Sequence, residues 1–155
     1  MTSKSKFEVF VSDYSSSVDE YRRAMQAPLS ELPELTAEQR TVAKKMGISE
    51  EDYRRSVLAG RLGESRMLRR GQGLGEIVEK LLDGLGPDYH VDAIKAEMFN
   101  SRWLVRVAAP DRIFNVAVPR ELADDVLDSG TSEEIERLKN CVLSGLDRSE
   151  LIAKR

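Results

Sequence analysis

The sequence has one cysteine, one histidine and few aromatic residues, which make up 6% of its 155 residues. A lone Cys141 cannot form a disulfide within the chain, and a Cys–His or Ser–His catalytic pair would have to use His90. No apolar run approaches the roughly 20 residues that a membrane-spanning helix needs. These absences argue against disulfide scaffolds, membrane spans and most acid–base or nucleophilic enzymes. We therefore expect a non-enzymatic protein without a cofactor.

The composition is otherwise rich in charge, with 33% charged and 41% hydrophobic residues. Such a composition is typical of a soluble, helix-rich protein. No apolar run follows Lys4 and Lys6 that could act as a signal sequence, so we expect a cytoplasmic protein. A chain of this length suits one domain with a hydrophobic core of its own.

Residues 1–35 have the pattern of an arm and linker. Phe7, Val9 and Val11 alternate as in a short strand, and Pro28 and Pro33 exclude a continuous helix further along. We expect this arm to become ordered on binding a partner. Residues 36–155 are predicted to form a single α+β domain, with a helical part (36–86) followed by strands and helices (87–155).

The helical part begins with two short helices. Thr36 and Gln39 have the spacing of a capping box and predict the start of the first helix, and Gly47 predicts its end. Ala43 and Met46 are expected to face inward from this helix. The second helix is predicted to begin two residues after Gly47.

Glycines divide the rest of the helical part. A glycine inside a helix costs roughly 1 kcal/mol relative to alanine. Because of Gly60 and Gly63, the sequence leaves two alternatives for the second helix. The helix runs to Arg70, or it breaks near residues 60–63. Three more glycines, at 71, 73 and 75, predict a separation from a third helix. Its apolar residues recur at helical spacing: Leu74, Ile77, Val78, Leu81, Leu82 and Leu85.

The pattern changes to alternation after residue 87. Residues 89–98, 102–108 and 113–118 are predicted to be three strands, and Trp103 is expected to lie in the core. Short turns between the strands favour an antiparallel meander. One helix is predicted from about Pro119 to Leu127, and another begins at Thr131. We expect an α+β fold in which a helical N-terminal half packs with this three-stranded meander, the second half having the order α-β-β-β-α-α.

A basic island is the most distinctive local feature. Residues 54–70 hold one acid and no lysine, together with six arginines: Arg54, Arg55, Arg61, Arg66, Arg69 and Arg70. The planar guanidinium binds carboxylates and phosphates bidentately, so such a cluster is typical of a docking surface. The first hypothesis is an adaptor or regulatory protein that binds another protein through this arginine-rich helical face and the arm. A solvated surface without a partner is the simpler alternative.

Nucleic-acid binding through the same arginines is the second functional hypothesis. Residues 42–56 resemble a DNA-binding helix-turn-helix, because Ala43 and Gly47 stand at the spacing of that motif. The resemblance implies base contacts near the start of the second helix, where this chain has Glu50, Glu51 and Asp52. Those acids would repel a polyanion. Glycines 71, 73 and 75 could add backbone donors for a phosphate if they preceded a helix.

Asp88, His90 and Asp92 are candidate metal ligands because they alternate along a predicted strand. Residues that alternate along a strand point to one face, as a metal site would require. Ligands so close along one strand need a further ligand from elsewhere to enclose an ion. We therefore expect a polar strand face without a metal.

Overall fold

The computed structural model describes residues 7–11, 17–97 and 100–153, with side chains described up to residue 146. The elements in these ranges are β1 (Glu8–Val11), α1 (Val18–Gln26), a 3₁₀ turn (Leu29–Glu31), α2 (Ala37–Met46), α3 (Glu50–Asp83), β2 (His90–Glu97), β3 (Arg102–Ala108), β4 (Ile113–Pro119), α4 (Arg120–Asp128) and α5 (Ser132–Ala153). The predicted α+β class is confirmed. Among the described residues, none of the helices is both long and apolar enough to cross a bilayer.

The strands form one mixed sheet in the order β1-β2-β3-β4. The three predicted meander strands are confirmed, and β2, β3 and β4 pair antiparallel. The sheet has four strands instead of the three of the predicted meander, because β1 pairs parallel to β2. A parallel pair needs a long connection between its strands, and the chain between β1 and β2 provides it. Alternation in the sequence indicated a strand at β1 but not this distant partner.

The chain divides into two compact units. The smaller unit is Tyr14–Arg66, and the larger unit combines Met1–Asp13 with Met67–Arg155. The boundary between them falls inside α3. The expectation that residues 1–35 act as a binding arm stays a prediction.

Helix α3 continues through all of its glycines, so the predicted separation at residues 71–75 is wrong. A Cβ atom on Gly71 would lie 2.5 Å from Val9 Cγ1 and 3.0 Å from Trp103 Cζ3. A Cβ atom on Gly75 would overlap the ring of Phe7 and lie 2.8 Å from Ile94 Cδ1. The glycines therefore let α3 approach the sheet closely, and the apolar burial that results offsets their low helix propensity.

The core of the larger unit joins one face of the sheet to apolar residues of α3, α4 and α5. Its buried members include Leu74, Val78, Leu82, Ile94, Trp103, Val105, Val116, Ala123, Leu138 and Val142. Trp103 is only 1% exposed, which confirms its predicted core position. Thr131 and Glu134 form the predicted cap before α5, with backbone-to-side-chain distances of 3.1 and 3.3 Å.

The smaller unit buries few large apolar side chains. Its buried apolar residues are Ala24, Leu32, Leu35, Ala43 and Ala59. The capping box of Thr36 and Gln39 is present, and Gly47 ends α2 in the left-handed conformation with φ of 69°. The prediction that Met46 faces inward is wrong, because its side chain is 62% exposed. Met46 is the last residue of α2, and within this helix only Ala43 is buried.

Candidate functional site

Arg54 and Arg55 of the basic island bind main-chain carbonyls of the smaller unit. Arg54 Nε donates to the carbonyl of Pro33 at 2.9 Å, and its Nη2 donates to that of Leu32 at 3.0 Å. Arg55 Nη1 donates to the carbonyls of Ala24 and Ala27, at 2.9 and 2.7 Å. These two guanidinium groups hold the end of α1 and the proline-containing segment against α3.

Arg66 forms an ion pair with a buried carboxylate. Glu20 is 6% exposed, and its Oε2 accepts a hydrogen bond from Arg66 Nε at 2.9 Å. Burial alone would raise the pKa of Glu20, but hydrogen bonds from Ser17 and the charge of Arg66 outweigh burial and lower it below its usual value. Arg66 therefore neutralises the one buried charged residue found in the described part of the chain.

Arg70 connects α3 to α4 in the larger unit. Its Nη2 lies 2.6 Å from Asp124 Oδ1, and its Nη1 lies 3.1 Å from Asp128 Oδ1. The guanidinium fork thus binds two carboxylates that stand one helical turn apart on α4. Asp124 is also approached by Arg120, at 3.8 Å.

Arg61 and Arg69 are the remaining members of the basic island. Both are exposed, and neither has a hydrogen bond or ion pair with any residue that the structure describes. Arg61 belongs to the smaller unit and Arg69 to the larger one. The six predicted binding residues are thus four arginines with partners in the fold and two with exposed, available guanidinium groups.

The helix-turn-helix-like segment has the predicted order of helix, glycine turn and helix. Gly47 N donates to the carbonyl of Lys44 at 3.2 Å, and Ser49 Oγ caps α3 through Asp52 N at 3.1 Å. Glu50, Glu51 and Asp52 are exposed at the start of α3. Their charge favours the positive end of the helix dipole and disfavours a nucleic-acid backbone.

Glycines 71, 73 and 75 do not form a phosphate-binding loop. They lie inside α3, where the backbone N–H groups serve the helix itself. The hypothesis that they add donors for a phosphate is therefore wrong. Backbone donors for an anion are available only in the first turn of a helix.

The three candidate metal ligands lie at the start of β2. Asp88 precedes the strand, His90 begins it, and the register shifts at a β-bulge between Val91 and Ala93. Asp92 Oδ2 pairs with Arg106 Nε at 3.2 Å. Within the described ranges, no three His, Cys, Asp or Glu side chains are grouped closely enough to hold an ion.

The face of the sheet opposite the core carries exposed side chains. Strand register places Phe10 beside Lys95, Lys95 beside Leu104 and Leu104 beside Ala117, in one row across all four strands. Phe10 is 49% exposed and Leu104 is half-buried. We call this surface the open sheet face. Sequence reasoning missed it, although polar and apolar residues alternate along β3 and β4 as expected for a sheet covered on one side.

A groove of about 550 Å³ lies on the open sheet face. It is lined by Phe10, Val11, Ala93, Lys95, Leu104, Arg106 and Asn115. Phe10 and Leu104 supply its largest apolar side chains. Both charged residues of this lining, Lys95 and Arg106, are cationic.

Glu97, an acidic residue near the groove, already pairs with cations on the same face. Glu97 Oε1 accepts a hydrogen bond from Arg102 Nε at 2.7 Å, which is the main cause of its lowered pKa. Lys95 Nζ stands 4.0 Å from the other oxygen of Glu97, at the limit of an ion pair. Arg102 therefore neutralises the carboxylate of Glu97. The ammonium group of Lys95 is more available than Arg102 to bind a carboxylate of a partner.

Comparison of the chain with known protein families, with curated proteins and with solved structures finds no match.

Proposed function

We propose that this protein is a non-enzymatic adaptor or regulator that binds another protein. The open sheet face is the observation that carries the proposal. A sheet needs apolar cover on one face only, and the second face here exposes Phe10, leaves Leu104 partly exposed and includes a groove. Aromatic residues and arginine, which this face presents as Phe10 and Arg106, are enriched at protein interfaces.

The proposed arm contributes to this surface. Phe10 lies within residues 1–35, and β1 places its ring on the open sheet face, next to Lys95 of β2. A partner that contacts the groove would therefore contact both the arm and the meander. The predicted role of the arm and the exposed apolar surface therefore both support the proposal that a partner binds the open sheet face.

The arginine-rich helix has a smaller part in the proposal than its sequence indicates. Arg54, Arg55, Arg66 and Arg70 have partners inside the fold. An interface that used them would have to break those contacts. Arg61 and Arg69 remain, and each can add electrostatic attraction to a partner.

Nucleic-acid binding is the second candidate function. The observation that favours it is the exposure of Arg61 and Arg69 without partners among the described residues. Phosphate contacts of this kind would make binding strongly dependent on salt. The exposed acids at the start of α3 weigh against docking through the helix-turn-helix-like segment.

Site-specific photo-crosslinking in native lysate tests the proposal. A benzoylphenylalanine at position 104 is expected to give a discrete protein adduct that survives nuclease treatment. The same group at position 42, on exposed α2, is the matched control and is expected to give no such adduct. Nucleic acid that co-purifies with the chain at low salt and is lost in Arg61→Glu and Arg69→Glu would favour the second candidate. The absence of any protein adduct from position 104 would contradict the proposal.

A further inference from the structure

We infer that the groove on the open sheet face binds an amphipathic helix of a partner protein, and that this helix has acidic residues beside its apolar stripe. The inference rests on the proposed function and names the chemistry of the partner. Three observations support it: the position of the groove, its apolar lining and the sign of its charges.

The position of the groove favours a helix over a strand. A partner strand pairs with the backbone at the edge of a sheet. The groove is instead formed by side chains of all four strands, with Phe10 from β1 and Asn115 from β4 at its two sides. Such a surface offers few free backbone groups and suits the convex apolar stripe of a helix, which packs into a groove by its side chains.

The lining of the groove fixes what the stripe would contact. Leu104 is central, because β3 is an inner strand, and Phe10 stands on the outer strand β1. Ala93 of β2 adds apolar surface between these strands, and Val11 lies at the end of β1. Leucine or phenylalanine side chains spaced i, i+3, i+4 and i+7 on a helix would fill this space and remove Phe10 and Leu104 from water.

The charges indicate an acidic partner. Lys95 and Arg106 are about half exposed and stand on neighbouring strands. Lys95 is only at the limit of contact with Glu97. The Arg106–Asp92 pair is exposed, and such pairs contribute little to stability, so Arg106 can be shared with a new carboxylate. Glutamate or aspartate beside the apolar stripe of the partner helix would attract both cations, whereas lysine at the same positions would repel them.

The concave shape argues against a second copy of this chain as the occupant. Two copies that met through this face would place two grooves opposite each other. Each has a volume of about 550 Å³, and protein interfaces pack as densely as protein interiors. A convex element fills the groove, whereas a second groove leaves it empty.

A pair of designed peptides tests the inference on the full chain. Both are fluorescein-labelled, about 16 residues long so that they can form a helix, and have leucines at i, i+3, i+4 and i+7. One has glutamate on both sides of the leucines, and the other has lysine at the same positions. We expect fluorescence anisotropy to show about tenfold tighter binding of the acidic peptide, with a smaller ratio at high salt.

Two substitutions locate the binding site. Leu104→Asp and Lys95→Glu are each expected to weaken binding of the acidic peptide by about tenfold. Val42→Asp and Lys80→Glu make the same chemical changes at exposed positions outside the groove, and they are expected to leave binding unchanged. Lys95→Glu keeps the test valid if Leu104→Asp fails to fold, because Lys95 is an exposed residue. Circular dichroism identifies any variant that does not fold.

The possible results separate this inference from the proposed function. Equal binding of both peptides, or binding that ignores Lys95→Glu, would overturn the acidic-helix inference. A concentration-dependent dimer that Leu104→Asp abolishes would make a second copy the occupant. A protein adduct from position 104 together with no binding of either peptide would leave the adaptor proposal standing and reject the helix. If position 104 gives no protein adduct and neither peptide binds, both proposals are rejected.

Discussion

The smaller and larger units are stabilised by different kinds of interaction. The larger unit has a continuous apolar core that includes Trp103 and residues of four strands and three helices. The smaller unit buries mainly alanines and two leucines. Arg54, Arg55 and Arg66 supply the additional contacts there, to carbonyls and to a buried carboxylate. A basic island can therefore be a means of folding a segment that is poor in apolar residues.

The largest effect should come from the apolar core. Trp103→Ala is expected to lower the free energy of unfolding of the larger unit by about 3–5 kcal/mol, because a fully buried indole leaves a cavity. Urea denaturation followed by circular dichroism measures this loss. Leu104→Ala, one residue away on the open sheet face, is the matched control and should lose much less. Similar losses would mean that the two faces do not differ as described.

Arg66→Ala should have the largest effect in the smaller unit. It leaves Glu20 buried without its cation, and we expect a loss of about 2–3 kcal/mol. Hydrogen exchange in α1 reports this loss locally, and the fluorescence of Trp103 reports the larger unit. The double variant Glu20→Gln with Arg66→Met removes both charges and should recover much of the stability. Failure of that recovery would mean that the loss in Arg66→Ala does not come from leaving the charge of Glu20 unpaired.

The same pair should make the smaller unit sensitive to acid. The pKa of Glu20 is lowered in the folded state, so its stabilising effect is complete above the unfolded value of about 4.3. That effect is lost as the pH falls from there through the folded pKa. The stability difference between the native chain and Glu20→Gln should therefore shrink below about pH 4.3. A difference independent of pH would contradict the charged pair.

The smallest effect on stability should come from the arginines without partners. Arg61→Ala and Arg69→Ala are each expected to change the free energy of unfolding by less than about 0.5 kcal/mol. Thermal unfolding by circular dichroism measures this change. A loss comparable to that of Arg66→Ala would show that these side chains are structural as well, and would remove the two exposed arginines from both proposed functions.

Local features of the fold were predictable from the sequence. The alternation of Trp103, Val105 and Val107 predicts β3 with the bounds that the structure shows. The cap of α2 follows from residues three positions apart, Thr36 and Gln39. Each of these signals depends on neighbours in the chain, where sequence spacing determines geometry.

Features that depend on distant partners were not predictable. The glycines of α3 indicate a break in the helix when only the sequence is considered. The structure shows instead that Phe7 and Ile94 pack against Gly75. The composition of the arginine cluster indicates a docking surface when only the sequence is considered. The structure shows partners within the fold for these side chains: Arg55, for example, donates to the carbonyl of Ala24. The exposed groove likewise depends on strand order. Its residues come from four strands, and spacing within any one of them does not indicate a shared surface.

The parallel pairing of β1 with β2 has a consequence during synthesis. Val9 pairs with Ile94, so β1 leaves the ribosome long before its partner strand is made. At ordinary rates of translation this interval is about ten seconds. The whole smaller unit is synthesised within it, while Phe7 and Phe10 have no sheet to join. A nascent chain stalled before β2 should therefore expose Phe7 to chaperones, and completion of the meander should bury it.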